Sequence, residues 1–164
     1  MRSRCRAYVD IETTGLNRYQ YELTVVGICL EQSRSRRVVQ FYDSTLTRKN
    51  VLDALTDADV LYTFNGERFD LPFIRHHLGL SLTKHLEHCD LMYHCWNQGL
   101  RDGQKKVERR LGIGRNTVGL DGADAVDLWF DYRDNGSRRA LKKLLKYNAE
   151  DVTNLARIRR KLGI

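Results

Sequence analysis

Residues 7–12 read Ala7-Tyr8-Val9-Asp10-Ile11-Glu12, with apolar side chains at the odd positions and aromatic or acidic ones at the even positions. A period of two is typical of a β-strand with one apolar face. Because side chains two apart on a strand point the same way, Asp10 and Glu12 are predicted to project together from the other face. Two adjacent carboxylates repel unless a positive charge lies between them, and a divalent cation suits such oxygen ligands. Taken by itself, however, an Asp-x-Glu pair is better interpreted as a solvated strand face.

The residues that follow predict two more strands. The run from Leu23 to Leu30 is almost unbroken in apolar residues, as in a strand covered on both faces, and Arg37 to Tyr42 has the pattern of a third, shorter strand. Polar turns at 15–20 and 32–36 separate the three strands. Sequential strands with short connections favour an antiparallel meander.

The rest of the chain alternates helical and strand patterns. The expected elements are a short helix at 50–58, a strand at 60–64, a helix at 69–78 with Pro72 in its first turn, two or three helices within 90–134, and a long last helix from Leu141 to Leu162. These patterns predict an α/β fold in a single domain, residues 1–164. We expect a mixed sheet with helices packed on it.

Composition limits the class of protein. The chain has 164 residues, 41% of them hydrophobic, which is enough for one sizeable core. No stretch reaches the roughly 18 apolar residues of a membrane span, so no membrane partner is expected. The basic N-terminus, Met1 to Arg6, leads into a charged strand pattern instead of a secretory apolar segment. We therefore expect a cytoplasmic protein whose four cysteines are free thiols.

The chain is basic, with 28 Lys and Arg against 21 Asp and Glu and a net charge of +7 at pH 7. Such a surplus favours polyanionic partners, because neutralising phosphates releases condensed counterions. An unspecialised basic surface explains it equally well. The basic residues cluster around 34–37, 105–110 and 157–161. Since these clusters lie on different predicted segments, only the tertiary structure can bring them together.

Residues 85–95 contain several zinc-ligand residue types, namely His85, His88, Cys89, His94 and Cys95. A standard zinc site needs a second pair of ligands at a characteristic spacing, and none completes this set. Ordinary packed or surface residues are the favoured interpretation.

Asp70 follows the predicted strand at 60–64 and the sharp exit Asn65-Gly66. In open α/β sheets such strand-to-helix junctions are where ligands collect, and an acid here also suits a helix cap. Asp90 and Asp127 are further acids near predicted element ends, and helix capping is the favoured interpretation for both.

Tyr147 and Asp151 are four residues apart on the last predicted helix, so they share one face beside its apolar stripe. A phenol beside a carboxylate is more often a packed tyrosine with a satisfied hydroxyl than a catalytic pair. Each of these signals is weak when it stands alone. Their order along the chain is more specific.

Three segments resemble, in this order, the exonuclease motifs of the DnaQ-like, or DEDD, 3′–5′ exonucleases. They are Asp10-Ile11-Glu12-Thr13-Thr14-Gly15-Leu16, Asn65-x3-Phe69-Asp70-x-Pro72-Phe73 and Tyr147-Asn148-x2-Asp151-Val152. A tyrosine four residues before the last aspartate is typical of the tyrosine subclass of that superfamily. The segment from Lys105 to Ile113 is similar to one in the YprB-type ribonuclease H-like domains, and the resemblance extends from Tyr8 to about Leu155.

The resemblance implies an α/β fold with a ribonuclease H-like mixed sheet, an antiparallel three-strand meander plus parallel strands, and helices on both faces. It also implies a two-metal-ion 3′–5′ exonuclease acting on single-stranded DNA, with RNA as the alternative. It implies two Mg²⁺ or Mn²⁺ ions, with Asp10 bridging both, Glu12 and Asp151 completing the first, and Asp70 holding the second through water. Tyr147 would orient the attacking water. The implied substrate contacts are Thr13, Thr14, Leu16, Asn65 and Phe69. For these contacts, a simple turn at 13–16 and a core phenylalanine stay open as alternatives.

Two other functions compete with this one. A ribonuclease H-like endonuclease would use the same scaffold, although a positioned tyrosine belongs to the exonuclease arrangement. A catalytically silent nucleic-acid-binding module would keep the fold and the basic surface, although none of the four acids is missing. The sequence leaves open whether the chain forms a homo-oligomer.

Overall fold

The computed structural model describes residues 4–33 and 35–164. Met1 to Ser3, in the predicted basic N-terminus, and Arg34, in the first basic cluster, lie outside the described residues. Within these ranges five strands form one mixed sheet. They are β1 (Cys5–Thr13), β2 (Leu23–Gln32), β3 (Ser35–Tyr42), β4 (Val60–Thr63) and β5 (Glu87–Asp90).

The sheet has the order β3-β2-β1-β4-β5, which places β1 at its centre. The first three strands pair antiparallel, and this confirms the predicted meander. β4 pairs with the other side of β1 in parallel, and β5 pairs with β4 in parallel. The sequence did not predict β5, because Glu87-His88-Cys89-Asp90 shows no alternation of apolar and polar residues.

Six α-helices are present within the described residues. They are α1 (Arg48–Ala54), α2 (Asp70–Leu78), α3 (Leu91–Asn97), α4 (Gln104–Arg110), α5 (Gly122–Asn135) and α6 (Arg138–Leu162). The prediction of two or three helices within 90–134 and of a long last helix is confirmed, with three helices, α3 to α5, in the first region. α1 begins two residues before the predicted start, because Thr47 caps it by accepting from the backbone N–H of Asn50 at 3.1 Å.

The two predicted helix caps have different outcomes. Asp90 caps α3 as predicted, accepting from the backbone N–H of Met92 at 3.1 Å. The prediction for Asp127 was wrong, since this residue lies exposed in the middle of α5. That helix starts earlier because Asp121 accepts hydrogen bonds from the backbone N–H groups of Ala123 and Asp124, which have no partner within the helix.

Helices cover both faces of the sheet. The odd-numbered apolar residues of β1 pack in one core with residues of α1 and α2, such as Val51 and Phe73. The even-numbered Tyr8 packs in a second core with α3, α4 and α6. Leu155 and Ile158 of α6 are fully buried there, and each contributes about 1.5–3 kcal/mol by leaving water. This packing fixes α6 across the face of β1 that carries Asp10 and Glu12.

None of the four cysteines, all of which lie within the described residues, forms a disulfide. Cys29 is completely buried, in agreement with its apolar sequence context. Within the described part of the chain, no helix combines the length and the apolar character that crossing a membrane requires.

Candidate metal centre

Three carboxylates converge where β1 meets α6. Asp10 and Glu12 project from one face of β1, as predicted, and Asp151 projects toward them from α6. One oxygen from each of the three lies within 4.8 Å of the other two. Glu12 and Asp151 are only 8% and 7% exposed. The Asp-x-Glu face, which by itself would be solvated, is thus covered by a helix that adds a third acid.

Gly27 and Asn148 set the position of Asp10. Gly27 lies opposite Asp10 in the β1–β2 pairing. A Cβ atom at Gly27 would be 2.0 Å from Oδ1 of Asn148, so only glycine leaves room for that amide. Nδ2 of Asn148 donates to Oδ2 of Asp10 at 3.2 Å, and Gln40 donates to Oδ1 of Asn148 at 2.9 Å. The missing side chain at Gly27 therefore allows an amide to orient the first carboxylate.

Asp70 lies beside this group, on the first turn of α2. It is 4% exposed, and its Oδ1 accepts from the backbone N–H of Ile11 at 3.1 Å. Because Ile11 stands between Asp10 and Glu12, this bond attaches α2 to the segment that carries both acids. The N-cap of α2 is Phe69, so Asp70 does not occupy the capping position.

Burial raises the pKa of all four acids, and neighbouring carboxylates raise the pKa values of Asp10, Glu12 and Asp70 further. Burial raises the pKa of Asp10 well above its usual value, and the carboxylates of Asp151, Asp70 and Glu12 raise it further. Burial, followed by the charge of Asp151, does the same to the pKa of Glu12. Burial raises the pKa of Asp70 to about 7. It also raises the pKa of Asp151 to about 6, against the opposing charge of Arg115.

The donor set fits a divalent cation. Among the described residues, Oε1 of Glu12 is buried and has no hydrogen-bond partner. A buried polar atom without a partner costs about 1–3 kcal/mol, and a charged one costs more. A cation would supply that partner and offset the repulsion among the acids. Carboxylate oxygens are the ligands that Mg²⁺ and Mn²⁺ prefer, so these residues suit either ion.

Tyr147 lies one turn before Asp151 on α6 and is 4% exposed. Nζ of Lys105 donates to its hydroxyl oxygen and lies 4.4 Å from the centre of its ring. The same Nζ donates to the backbone carbonyl of Leu120 at 2.9 Å, which fixes the ammonium group. Burial, then the charges of Asp151 and Glu12, raise the pKa of the phenol. Tyr147 is therefore a protonated hydroxyl held in one orientation at neutral pH.

Arg115, in the loop after α4, closes another side of the site. Its Nη2 donates to Oδ1 of Asp151, and its Nη1 lies 2.7 Å from Oε2 of Glu108. Glu108 is fully buried, and it also accepts from Gln104 at 2.9 Å. Gln104 in turn donates to the backbone carbonyl of Asp151 at 3.1 Å. Because Arg115 is charged, it partly neutralises the acidic group from the side of α4.

A cleft of about 390 Å³ opens over the carboxylates. Among the residues predicted to contact substrate, Thr13, Leu16 and Phe69 line it, and Leu16 is 85% exposed. Thr14 and Asn65 are outside its lining. Thr14 accepts from the backbone N–H of Glu22 at 2.9 Å, and the backbone N–H of Asn65 donates to Asp90 at 2.8 Å.

The zinc-ligand residue types at 85–95 do not meet at one point in the described structure. His88 contacts the hydroxyl of Thr63 at 2.9 Å, and Cys89 lies 3.4 Å from the ring of His94. Cys95 is fully buried in the core beneath α6. Among residues 4–33 and 35–164, the one group of three His, Cys, Asp or Glu side chains close enough to share a metal ion is Asp10, Glu12 and Asp151.

Arg115, Glu108, Gly27 and Asn148 were not predicted as site residues. Lys105 and Glu108 belong to the segment that resembles the YprB-type domains, so that resemblance was the signal that pointed to α4. Asn148 was part of the third motif, but no contact could be assigned to it. Arg115 and Gly27 had no signal, because their roles depend on segments far away in the sequence.

The basic clusters serve different parts of the molecule. Arg36 and Arg159 both pair with Glu31, at 3.0 and 3.5 Å. Lys105, from the second cluster, donates to the hydroxyl of Tyr147 beside the clustered carboxylates. Local charge in the sequence therefore did not predict where these residues would act.

Comparisons with known proteins agree with this architecture. The chain is 24% identical over 160 residues to MJ0365, an uncharacterized protein of Methanocaldococcus jannaschii, over 90% of this chain and 89% of that one. It superposes on the family B DNA polymerase of Pyrobaculum calidifontis with a TM-score of 0.73 and 15% identity, covering 97% of this chain but only 24% of the polymerase.

NrnC from Brucella melitensis has the same fold. Its structure with bound Mg²⁺ gives a TM-score of 0.61 at 20% identity, over 96% of this chain and 71% of NrnC. Its structure bound to pGG gives 0.59 at the same identity and coverage. A family model described as the RNase_H superfamily matches residues 7–163, nearly the whole chain. The chain belongs to the RNase_H superfamily.

Proposed function

We propose that the chain is a metal-dependent 3′–5′ exonuclease that hydrolyses phosphodiester bonds at the 3′ end of single-stranded nucleic acid, DNA in the first place and RNA as the alternative. The observation that carries the proposal is the convergence of Asp10, Glu12 and Asp151, with an unpartnered buried oxygen on Glu12. Membership of the RNase_H superfamily supports it, as does the shared fold of NrnC, which binds Mg²⁺ and pGG.

Asp10, Glu12 and Asp151 are proposed to hold one Mg²⁺ or Mn²⁺ ion. Asp10 would also contact a second ion, which Asp70 would hold through water. When bound, two such ions lower the pKa of the attacking water and stabilise charge on the leaving oxygen. Asn148 supports this arrangement by orienting Asp10.

Tyr147 is proposed to orient the attacking water. Its oxygen already accepts from Lys105, so its own O–H must point to a different acceptor. The raised pKa keeps that proton in place at neutral pH. A water that accepts this hydrogen bond would be held close to the carboxylates one helical turn away.

The cleft is proposed to receive the terminal nucleotide. The backbone at Thr13 and Thr14 would meet the 3′-hydroxyl, and the exposed Leu16 would contact the last base. Phe69 forms another wall of the cleft. The carbonyl of Asn65 accepts from the backbone N–H of Phe69 at 3.1 Å, so Asn65 would place that wall.

We also propose that residues 1–164 act as one domain in the cytoplasm. The family match extends over residues 7–163, which supports a single domain. Four cysteines without a disulfide among the described residues suit a reducing compartment.

The experiment that tests the function is digestion of a 5′-labelled single-stranded DNA and of its RNA counterpart. Each is incubated with Mg²⁺, Mn²⁺ or EDTA. We expect a metal-dependent ladder that shortens from the 3′ end, abolished by Asp151→Asn and weakened by Tyr147→Phe. Asp127→Asn, on the exposed face of α5, and Tyr93→Phe, on α3, are the matched controls and should cleave like the wild type.

Two outcomes would contradict the proposal. Internal cuts without a 3′ ladder would make the protein an endonuclease on this scaffold. Tight binding without cleavage under either metal would make it a nucleic-acid-binding module.

A further inference from the structure

A second depression, here called the α2 groove, lies beside the cleft. It has a volume of about 720 Å³ and is lined by residues that include Arg18, Tyr19, Leu71, Pro72, Arg75 and His76. This is larger than the cleft over the carboxylates, and it falls within the roughly 300–1,000 Å³ typical of ligand sites. None of the residues assigned to the metal centre lines it.

Two segments of the chain contribute residues to both the α2 groove and the cleft. Leu16 lines the cleft, and Arg18 and Tyr19, two and three residues further along the same loop, line the groove. Phe69 lines the cleft, and Leu71 on the first turn of α2 lines the groove. A chain that leaves the cleft over this loop and helix would therefore enter the groove directly.

The loop presents aromatic and apolar side chains to solvent. Tyr19 is 70% exposed and Leu16 is 85% exposed, and both stand among the few large apolar residues that the described structure leaves exposed. Arg18 lies 4.7 Å from the centre of the Tyr19 ring, and His76 packs edge-on against that ring at 4.9 Å. Within this loop the ring of Tyr21 packs directly against Gly15, where an added Cβ would lie only 2.4 Å from the ring. Exposed apolar residues grouped in this way are typical of a binding surface.

The charge of the groove is positive. Arg18 and Arg75 contribute two permanent cations, against the single carboxylate of Glu67. Within the described ranges, neither arginine forms a salt bridge, and Arg75 is exposed. Cations beside an exposed aromatic ring are the combination with which proteins bind single strands, since phosphates pair with the cations and bases stack on the ring.

We propose that the α2 groove binds the nucleotides of a single-stranded substrate that lie on the 5′ side of the nucleotide in the cleft, with a base stacked on Tyr19 and phosphates paired with Arg18 and Arg75. This inference rests on the proposed exonuclease function. It makes the protein an enzyme that selects oligonucleotides over single nucleotide esters.

The test compares two substrates of different length. One is a single-stranded octanucleotide with a 5′ fluorophore, and the other is the p-nitrophenyl ester of thymidine 5′-monophosphate, which places one nucleotide in the cleft. Tyr19→Ala should raise KM for the octanucleotide about 5- to 150-fold, the range for stacking of one base on an aromatic ring. It should leave kcat/KM for the ester unchanged. Tyr19→Phe keeps the ring and loses only the hydrogen bond that Arg18 donates to the hydroxyl at 3.1 Å, so its KM should stay much closer to the wild-type KM than that of Tyr19→Ala.

A binding measurement separates the charges from the ring. Fluorescence anisotropy of the octanucleotide in EDTA gives its affinity without turnover. Arg75→Ala should reduce the slope of log K against log salt concentration by about 0.7, which is the effect of one phosphate contact on a single strand. Arg139→Ala, an exposed arginine at the start of α6, is the charge-matched control and should leave the slope unchanged.

The outcomes distinguish this inference from the proposed function. If Tyr19→Ala affects octanucleotide and ester equally, or affects neither, the α2 groove does not bind the strand, while cleavage by the wild type still supports the exonuclease. If the wild type cleaves neither substrate, the exonuclease function fails and the inference fails with it.

Discussion

Arg115 is ion-paired with Asp151, one of the three clustered carboxylates, and with Glu108, which is fully buried. The guanidinium thus offsets the negative charge of the carboxylate cluster and of the buried Glu108. A cation bound by Asp151 would compete with Arg115 for the same carboxylate. Arg115 consequently has a structural role that can be measured separately from catalysis.

Replacing Arg115 should destabilise the fold. Arg115→Met leaves the carboxylate of Glu108 buried and unpaired, which costs about 3–5 kcal/mol for a broken buried pair. Urea unfolding at pH 7 in EDTA measures this change in the free energy of unfolding. The double variant Arg115→Met with Glu108→Gln should recover much of the loss, because the second change removes the unpaired charge.

The matched control is Arg110→Ala. Arg110 pairs with Asp102 at 3.0 Å on the surface, and such exposed pairs contribute about 0–1 kcal/mol. If Arg115→Met costs no more than this control, the buried ion pair does not stabilise the protein in the way inferred from its burial.

The metal-free protein should lose stability as the pH rises from about 4 to 7. Asp70 keeps its proton in the folded state up to about pH 7, and Asp151 up to about pH 6, whereas unfolded aspartates ionise near pH 3.9. In that window the folded state binds more protons than the unfolded state, so the free energy of unfolding decreases by up to about 1.4 kcal/mol per pH unit for each group.

Thermal unfolding in EDTA across this pH range tests whether the stability decreases as the pH rises. In Asp70→Asn the loss of stability with rising pH should be smaller. The difference between this variant and the wild type gives the contribution of the Asp70 carboxyl. Millimolar Mg²⁺ should raise Tm most at the high-pH end, since a cation binds the ionised acids. A wild-type protein that becomes more stable in EDTA as the pH rises through this window would contradict the raised pKa values.

Lys105 and Tyr147 should act as one unit in catalysis. Tyr147→Phe and Lys105→Met should each lower kcat by about 10- to 100-fold, because a misplaced catalytic group costs on that order. KM should change little in either variant. The double variant should lose hardly more than the worse single one, since Lys105 acts through the tyrosine hydroxyl.

The control for the lysine is Lys106→Met, which removes an exposed neighbour and should leave kcat unchanged. Additive losses in the double variant, together with a raised KM for Lys105→Met, would show instead that this lysine contacts the substrate.

Gly27→Ala should damage the metal centre from the neighbouring strand. The new Cβ would be 2.0 Å from Oδ1 of Asn148 and would displace the amide that holds Asp10. We expect a stability loss of about 1–3 kcal/mol, as for an overpacked core, and a fall in kcat similar to that of Asn148→Ala. Gly114→Ala is the control, because its added Cβ meets no atom within 4 Å. Full activity of Gly27→Ala would mean that Asn148 does not position Asp10.

Most of the elements followed from local patterns. The alternation in β1 and the apolar run of β2 predicted two strands, and helical spacing from Leu141 to Leu162 predicted α6. β5 was not predicted because its four residues, Glu87 to Asp90, are too few and too polar to show an alternation of apolar and polar side chains. The prediction that Asp127 caps a helix was wrong because α5 begins at the cap formed by Asp121, six residues earlier in the chain.

The sequence alone placed Asp10 and Glu12 on one strand face and Tyr147 and Asp151 on one helix face, because the period of a strand or a helix is a local property. Tertiary structure decided which faces meet. The pairs Arg115–Asp151 and Asn148–Asp10 join residues 36 and 138 positions apart. The fit of Asn148 against Gly27 is also a long-range contact, because it depends on how α6 crosses β2. Such contacts form only when separate elements pack together. They leave no repeating pattern in the sequence from which they could be predicted.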